Sequence, residues 1–596
     1  MNGRRTPWLL LILALVLVCG CLAALVTGAG FYALRVRQGL TPAAARLTAL
    51  PDVTATRLAA RQETPVGPTP AVAADETPGR PTPTAAPTRD LALGPRSSGG
   101  ELRLPGGMPP TLDPAQSTDA TSASYITEIF SGLVTLDPNL ELVPDITESY
   151  EVSSDGRTYT FHLRSNVHFH DGRAVTAEDV KFSLERSTDP VSGSPVAATY
   201  LGDIVGAREK LSGGATELAG VRIVDDYTLE IEIDAPRPSF LSKLTHPVAF
   251  VVDRKGIDSG DVLAATNGTG PFRLEELIPY DRIVLVANTD YYREPKPVLD
   301  RVVFIMSGGY PVTMYENDEL DTAPVGSADL PRITDPATGV DRELTINEQL
   351  STFYVGMNCA LPPFDDVKVR QAFAQALDRQ RIVDLLYDRT EPAAKTIVPP
   401  LMPDYDNEGL SAPPYDPEAA RRLLAESSYG GAAGLPPVTL HVSSGGPDTD
   451  PVADAIAYVL EQNLGVTIGI EQSEWSDFLT ELNRPEQPYQ MFVLGWIADY
   501  PDPENFLYLL FGSGSADNHS RYANEEVNRL LDQAGLEMDP ARRNDLYVEA
   551  ERIILAEAPI VPLYHDVEYW LTKPYVQDLY SPAMIVPRFQ YAHIER

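Results

Sequence analysis

The stretch VTLHVSSGGPDTDPVADAIAYVLEQNLGVTIGIEQ (438–472) holds two kinds of segment. VTLHVSS and VTIGIEQ read as strands, and DPVADAIAYVLEQNL between them reads as a helix. A strand–helix–strand unit favours a right-handed crossover and parallel pairing. That reading makes the globular part α/β.

Working outward, GELRLPGG from Gly100 onward is strand-like, and SASYITEIFSGL suggests a helix with Tyr125, Ile126, Ile129, Phe130 and Leu133 at helical spacing. EVSSDGRTYTFHLR is a hairpin turned at SSDG, with Tyr159, Phe161 and Leu163 on one strand face. TAEDVKFSLER starts with Thr176 as N-cap and Asp179 at the third helical position, a capping-box pattern. VRIVDDYTLEIEID is a second hairpin, turned at Asp225-Asp226. DDVKVRQAFAQALDRQRIVDLLY and DPEAARRLLAES each read as a helix with a capped start. No solenoid-type repeat is evident.

The chain has 596 residues, more than one core usually serves, so two or three domains are expected. Its 47 Lys+Arg against 84 Asp+Glu give a net charge of −37. That excludes the basic face a nucleic-acid binder needs, and broad docking on anionic lipid. Of three cysteines only Cys359 lies in the globular part, which leaves no disulfide framework and no Cys-based zinc site there.

At the N-terminus, Arg4 and Arg5 precede an apolar run from Trp8 to Leu34. At ~1.5 Å per residue this is roughly 40 Å of helix, enough to span a bilayer with tilt. Two readings compete: an uncleaved transmembrane anchor within 1–37, which is preferred, or a lipoprotein-type box in which Cys21 carries lipid. Residues 38–98, rich in Pro, Thr and Ala, read as an extended linker. Both readings put the bulk of the chain outside the cytoplasm, tethered to the outer face of the membrane.

The apolar run YQMFVL (489–494) delivers GWIADYPDPENF (495–506). Asp499 there is a carboxylate among bulky and turn-forming neighbours, and such a group is costly to desolvate without a partner. An Asp before Tyr-Pro-Asp-Pro also suits a simple turn start. HFHD (168–171) sets His168 and His170 on one strand face with His162 nearby, a metal pair in principle, but Asp171-Gly172 as a plain turn is the stronger reading. Cys359 has no visible base and reads as a packing residue. No hydrolase, zincin, phosphate-loop or dinucleotide pattern occurs in a supporting context. The expectation is no cofactor, no metal and no catalysis.

Seven segments in order resemble the extracellular solute-binding proteins of ABC importers, in the oligopeptide/dipeptide/nickel-binding group, family 5. They are IFSGLVTLDPNLELVPDITESYEVSSDGRTYTFHLRSNVHFHDGRAVTAEDVKFSLER (129–186), NGTGPFRLEEL (267–277), FYVGMNCALPPFDDVKVRQAFAQALDRQRIV (353–383), YDPEAARRLLAE, GWIADYPDPENF, RYANEEVNRLLDQA and APIVPLYHDVEYWLTKP. The resemblance implies a periplasmic-binding-protein-like fold of type II, in its large three-domain variant, with two lobes around a hinged cleft. It implies a first lobe from 99–130, 267–348 and 559–596, an extra domain at 131–266 packed on it, and a second lobe at 349–558.

It further implies capture of a solute by lobe closure and delivery to the permease's transmembrane subunits, the chain acting as a monomer. A peptide with a free amino terminus is the expected cargo, its ammonium paired with Asp499. Trp496 would wall a side-chain site, Gly495 and Ile497 would offer main-chain groups, and Thr118, Asp119 and Ala120 would supply a strand edge across the cleft. The far end of the ligand is left unassigned: Arg484 and Arg521 fall in the right part of the chain, and neither is given that role. The alternatives left open are a saccharide, nickel-chelate or opine-like ligand, a membrane-tethered sensor ectodomain, and a hydrolase using the histidines.

Overall fold

The computed structural model describes residues 99–326, 328–386, 393–443, 450–484 and 486–596. The N-terminal apolar segment, Cys21 and the 38–98 linker lie outside them. Among the described residues no helix is long and apolar enough to cross a membrane.

The strand–helix–strand unit forms as its periodicity requires. Val438–Ser443 and Ile468–Ser473 pair in parallel, Thr439 opposite Gly469, joined through the helix Pro451–Leu464. Asp450 caps that helix by accepting from the amides of Val452 and Ala453. The two strands lie at one side of a five-stranded sheet, in the order Ile468–Ser473, Val438–Ser443, Met491–Ile497, Ser351–Met357, Ile560–Tyr564. Apolar clusters cover both faces.

Two further four-stranded sheets stand apart. One joins Glu101–Pro105 in parallel to Arg301–Ile305, followed by Arg282–Ala287 and Phe272–Ile278. The other is the pair of expected hairpins, antiparallel throughout: Thr147–Val152, Thr158–Leu163, Thr228–Glu232, Val221–Asp225. The helix Ala177–Ser187 packs beside it, with Thr176 and Asp179 closing the capping box. The chain returns from this part through Asn267–Gly270, where glycine is obligatory. A Cβ on Gly268 would stand 2.1 Å from the Ile129 carbonyl oxygen, and one on Gly270 2.4 Å from that of Glu128.

Three expectations need correction. The helix near residue 125 runs Ala120–Ile129 and stops there; Phe130 is already extended, so Leu133 lies outside it. The segment beginning DDVKV is two helices, Val367–Ala376 and Arg379–Leu386. Leu377 is extended, and Asp378 accepts from the Arg381 amide at 3.1 Å, restarting the chain as a cap would. The strand Ile560–Tyr564, placed in the first lobe by a boundary at 559, pairs with Ser351–Met357 in the second-lobe sheet instead.

The crossing therefore comes later. Leu344–Glu348 and Val567–Thr572 pair in a small first-lobe sheet, and each continues directly into a strand of the five-stranded one. The two crossings run side by side, bonded by Gln349 N to Asp566 O at 2.9 Å and Asp566 N to Ser351 Oγ at 3.1 Å.

The hairpin domain touches the second-lobe part as well as the first. Tyr500 and Leu509 are buried in the same cluster as Phe161, Phe240 and Tyr200. An ion pair joins the same two parts: Lys243 Nζ lies 2.7 Å from Glu504 Oε1.

Candidate functional site

The site is built on the strand Met491–Ile497 and the turn after it. Phe353, across the ladder, stacks on Tyr564 with ring centroids 4.8 Å apart. A Cβ at Gly495 would lie 2.8 Å from the Phe353 ring, so this position takes no side chain without displacing that stack.

The strand is paired along its whole length on one side only. Ala498 N donates to Leu350 O at 2.8 Å. Bonded and non-bonded pairs alternate in an antiparallel ladder. With Trp496 opposite Thr352 and Leu494 opposite Tyr354, those become the bonded pairs. Val493, Gly495 and Ile497 then turn their N–H and C=O groups to the other side. There, Val438–Ser443 reaches only Met491 and Phe492. The parallel pairing of Phe492 with His441 engages the N–H of Val493, and from Gly495 to Ile497 that edge carries no strand among the described residues.

Asp499 stands at the end of this open edge. Its carboxylate accepts from side chains: Oδ2 takes the hydroxyl proton of Tyr200 and, at 3.4 Å, the amide of Asn505. The turn itself is made by Asp502, whose Oδ1 accepts from Glu504 N at 2.9 Å. The turn-starting alternative for Asp499 is thus filled by another residue. Burial raises the Asp499 carboxyl to about 6, held down only by Tyr200 and Asn505, with no basic side chain contributing.

Asn505 organises the group. Its Oδ1 accepts from Trp496 Nε1 at 2.9 Å and from the Asp499 amide at 3.2 Å. Trp496 is half-buried and packs against two apolar clusters, so one part of the ring is core and the rest is open. Tyr200 is fixed by stacking on His246, centroids 3.9 Å apart, and by an edge contact with Tyr500. Asp517 lies close enough to be repelled by Asp499, and burial together with that repulsion pushes it up to about 7.

Gly495, Trp496, Ile497 and Asp499 lie together at the end of the strand Met491–Ile497. Thr118, Asp119 and Ala120 form no strand. Thr118 is exposed, and Asp119 is the N-cap of Ala120–Ile129, its Oδ1 accepting from Ser122 N at 3.0 Å. The backbone there is extended at Ser117 and Asp119 but has no ladder partner, because the cap begins a helix at once. Arg484 pairs with Glu481 at 2.8 Å, and Arg521 donates to the Arg484 carbonyl at 2.7 Å.

The histidines separate. His168 Nδ1 meets Asn166 O at 3.1 Å, while His170 Nε2 meets Gly270 O at 3.1 Å and is held near 4 by burial. Among the described residues no group of three His, Cys, Asp or Glu could hold a metal ion. Burial pushes the Cys359 thiol up to about 11, the opposite of an activated nucleophile.

Sequence reasoning missed two residues of this group. Asn505 lies inside the quoted motif, six residues past Asp499, and its amide could have been noticed. Tyr200 sits in a four-residue helix, Ala197–Tyr200, and carries no local signal.

Known proteins share this arrangement of chain. The periplasmic oligopeptide-binding protein OppA of Salmonella typhimurium is 30% identical over 501 residues, 81% of this chain and 88% of its own. The solved murein tripeptide binding protein MppA of Escherichia coli superposes with a TM-score of 0.75 at 27% identity, over 84% of this chain and 99% of that one; its unliganded open form gives 0.62 over 84% and 98%, also at 27% identity. Haemophilus influenzae OppA in complex with RPPGFSPFR superposes at 0.74 and 26% identity, over 84% of this chain and all of that one. A profile of the bacterial extracellular solute-binding proteins, family 5 (middle region), matches residues 141–518. The chain belongs to the bacterial extracellular solute-binding proteins, family 5.

Proposed function

We propose that this chain is the peptide-capturing component of an ABC importer, working outside the cell membrane and handing its cargo to the permease. The carrying observation is the edge from Gly495 to Ile497, without a strand partner among the described residues, ending at Asp499, a desolvated carboxylate with no basic partner among them. An extended peptide adds to such an edge through main-chain bonds that any sequence can make. Its free ammonium is the missing charge for Asp499, and a charge-assisted pair in a desolvated site is strong when well aligned. Trp496 offers the exposed part of its ring to a side chain.

The reading gives the chain no catalytic step: it binds, closes and releases. The N-terminal apolar segment, as anchor or through lipid on Cys21, tethers the binding part, and residues 38–98 space it from the membrane. Native mass spectrometry of the chain purified from a rich medium tests the cargo. A co-purifying series of peptide masses is the expected result; a single saccharide or chelate mass would overturn the peptide reading. Residues 99–596 expressed alone should be soluble and folded, and aggregation of that fragment would remove the tether-and-domain division.

A further inference from the structure

Between the hairpin domain and the second-lobe part, a charged cluster lies alongside the apolar contacts of Tyr500 and Leu509. Lys243 Nζ lies 2.7 Å from Glu504 Oε1 and 3.0 Å from Asp203 Oδ2. Ser239 donates its hydroxyl to Glu504 Oε2. Arg237 Nε meets Asp203 Oδ1 at 3.1 Å. Across the boundary, Arg543 holds Asp502 at 2.7 Å and reaches Glu504 at 3.9 Å. The Lys243, Asp203 and Glu504 side chains are all under 8% exposed.

Removing one partner of a buried ion pair leaves an uncompensated charge, so parting such a pair is costly unless each ion keeps another neighbour. Here the arrangement avoids that difficulty. Lys243, on the hairpin domain, has a second partner in Asp203 of the same domain. Glu504, on the other side, has Arg543 on its own side and opens the helix Glu504–Phe511, where a negative charge is favoured. The cross-boundary pair can part with each ion keeping a neighbour of opposite sign. MppA superposes on this chain with a TM-score of 0.75, and its unliganded open form with 0.62.

The pair is also adjacent to the binding group. Glu504 precedes Asn505, which holds both Trp496 and Asp499. Tyr200, from the same domain as Lys243, completes the Asp499 contact.

We propose that Lys243 and Glu504, assisted by Ser239, form a breakable clasp between the hairpin domain and the second lobe, and that this clasp sets how long a captured ligand is retained. Lys243 is a positioning residue: it acts through Glu504 and the start of its helix, not by touching ligand. The proposal rests on the reading that the chain captures by closing.

The test uses the full chain in detergent, with fluorophores attached through non-canonical amino acids at Val191 and Met538. Both are exposed, at 94% and 59%, one on each side of the contact. Lys243→Met and Glu504→Gln should each shift the ligand-free distance distribution toward longer separations. Each should also speed trialanine release about tenfold, since interface changes act mainly on dissociation. The double variant should be no worse than the more affected single one. Ser239→Ala, the mildest change, should move both readouts the same way and less.

Unchanged distances and release in all variants would overturn the clasp. Fully additive effects would also overturn it, because the residues would then act separately. A lowered melting temperature with unchanged distances would assign them a structural role only. If wild-type chain binds no trialanine and carries a saccharide or chelate in place of peptides, the peptide reading falls, and the distance measurement still decides the clasp.

Discussion

The hydroxyl of Tyr200 donates to Oδ2 of Asp499, joining residues 299 apart in the chain. One belongs to the hairpin domain and the other to the second-lobe sheet, so the contact exists only while the two parts are together. It also has a chemical meaning. A phenol donor stabilises a carboxylate without neutralising it, so the negative charge stays available to a cation that arrives later. A protein cation in the same place would have satisfied Asp499 permanently and left nothing to bind.

Asp499→Asn tests that availability. The amide keeps the shape and can still meet Tyr200 and Asn505, but it offers no charge. A charge-assisted bond is worth ~1.5–3 kcal/mol, so affinity for trialanine should fall up to about a hundredfold. N-acetyl-trialanine, lacking the ammonium, should bind both forms alike. Isothermal calorimetry on the two peptides measures the difference, and equal losses for both would remove the anchor role.

The raised pKa of Asp499 predicts opposite trends for stability and affinity. Its carboxyl stands at about 6 in the fold against an ordinary 3.8. The folded state therefore holds this proton more tightly than the unfolded chain does. Its contribution to stability is present below 3.8 and is lost as pH rises toward 6. Ammonium binding needs the ionised form, so affinity should climb with pH up to about 6 and then level. Asp517, raised to about 7, faces Asp499 along with Tyr200 and Asn505, and extends the climb toward neutral pH. Titrations of trialanine between about pH 4.5 and 7.5 keep the α-amine (ordinary pKa near 8) charged. Asp499→Asn should flatten the lower part of the climb, and a slope unchanged by that substitution would assign the effect elsewhere.

Tyr200→Phe separates the phenol from the packing. The ring can keep its stack on His246 and its contact with Tyr500. Loss of the donor removes one of the two bonds that hold Asp499 down, so the pH at which affinity reaches half its plateau should move upward. At pH 7.5 the loss should be a few-fold, in keeping with ~1 kcal/mol for one hydrogen bond. A downward movement of the midpoint would contradict the donor assignment.

What the sequence made legible follows from which signals are local. The parallel pair of Val438–Ser443 and Ile468–Ser473 and the capping box of Thr176 and Asp179 are written in a few adjacent residues, and both stand as read. The placing of Asp499 just past the strand Met491–Ile497 was legible because its motif is continuous. Tyr200 was not, since its role depends on a partner far along the chain. Ile560–Tyr564 is buried at every position, so no alternation marks which sheet it joins. Thr118–Ala120 was expected as a strand edge only through the family resemblance; locally, Asp119 is a helix-capping residue type and caps Ala120–Ile129.

The open edge itself can be tested by proline, because the ladder's alternation makes neighbouring positions unequal. The N–H of Ile497 points away from Ser351–Met357, by the register that Ala498 N to Leu350 O fixes. Proline at 497 removes no ladder bond, and its fixed φ is tolerated at a strand edge. It does remove one donor that an added peptide strand would use. Ile497→Pro should therefore fold, with a melting temperature close to the parent's, and bind trialanine about tenfold more weakly, the upper range for one hydrogen bond. The N–H of Trp496 points into the ladder, so Trp496→Pro should lower the melting temperature sharply, whatever happens to binding. If Ile497→Pro unfolds the chain as readily as Trp496→Pro, the two faces of the strand are equivalent and the edge is not free. If it folds and binds with full affinity, the main chain at 497 takes no part in holding the ligand.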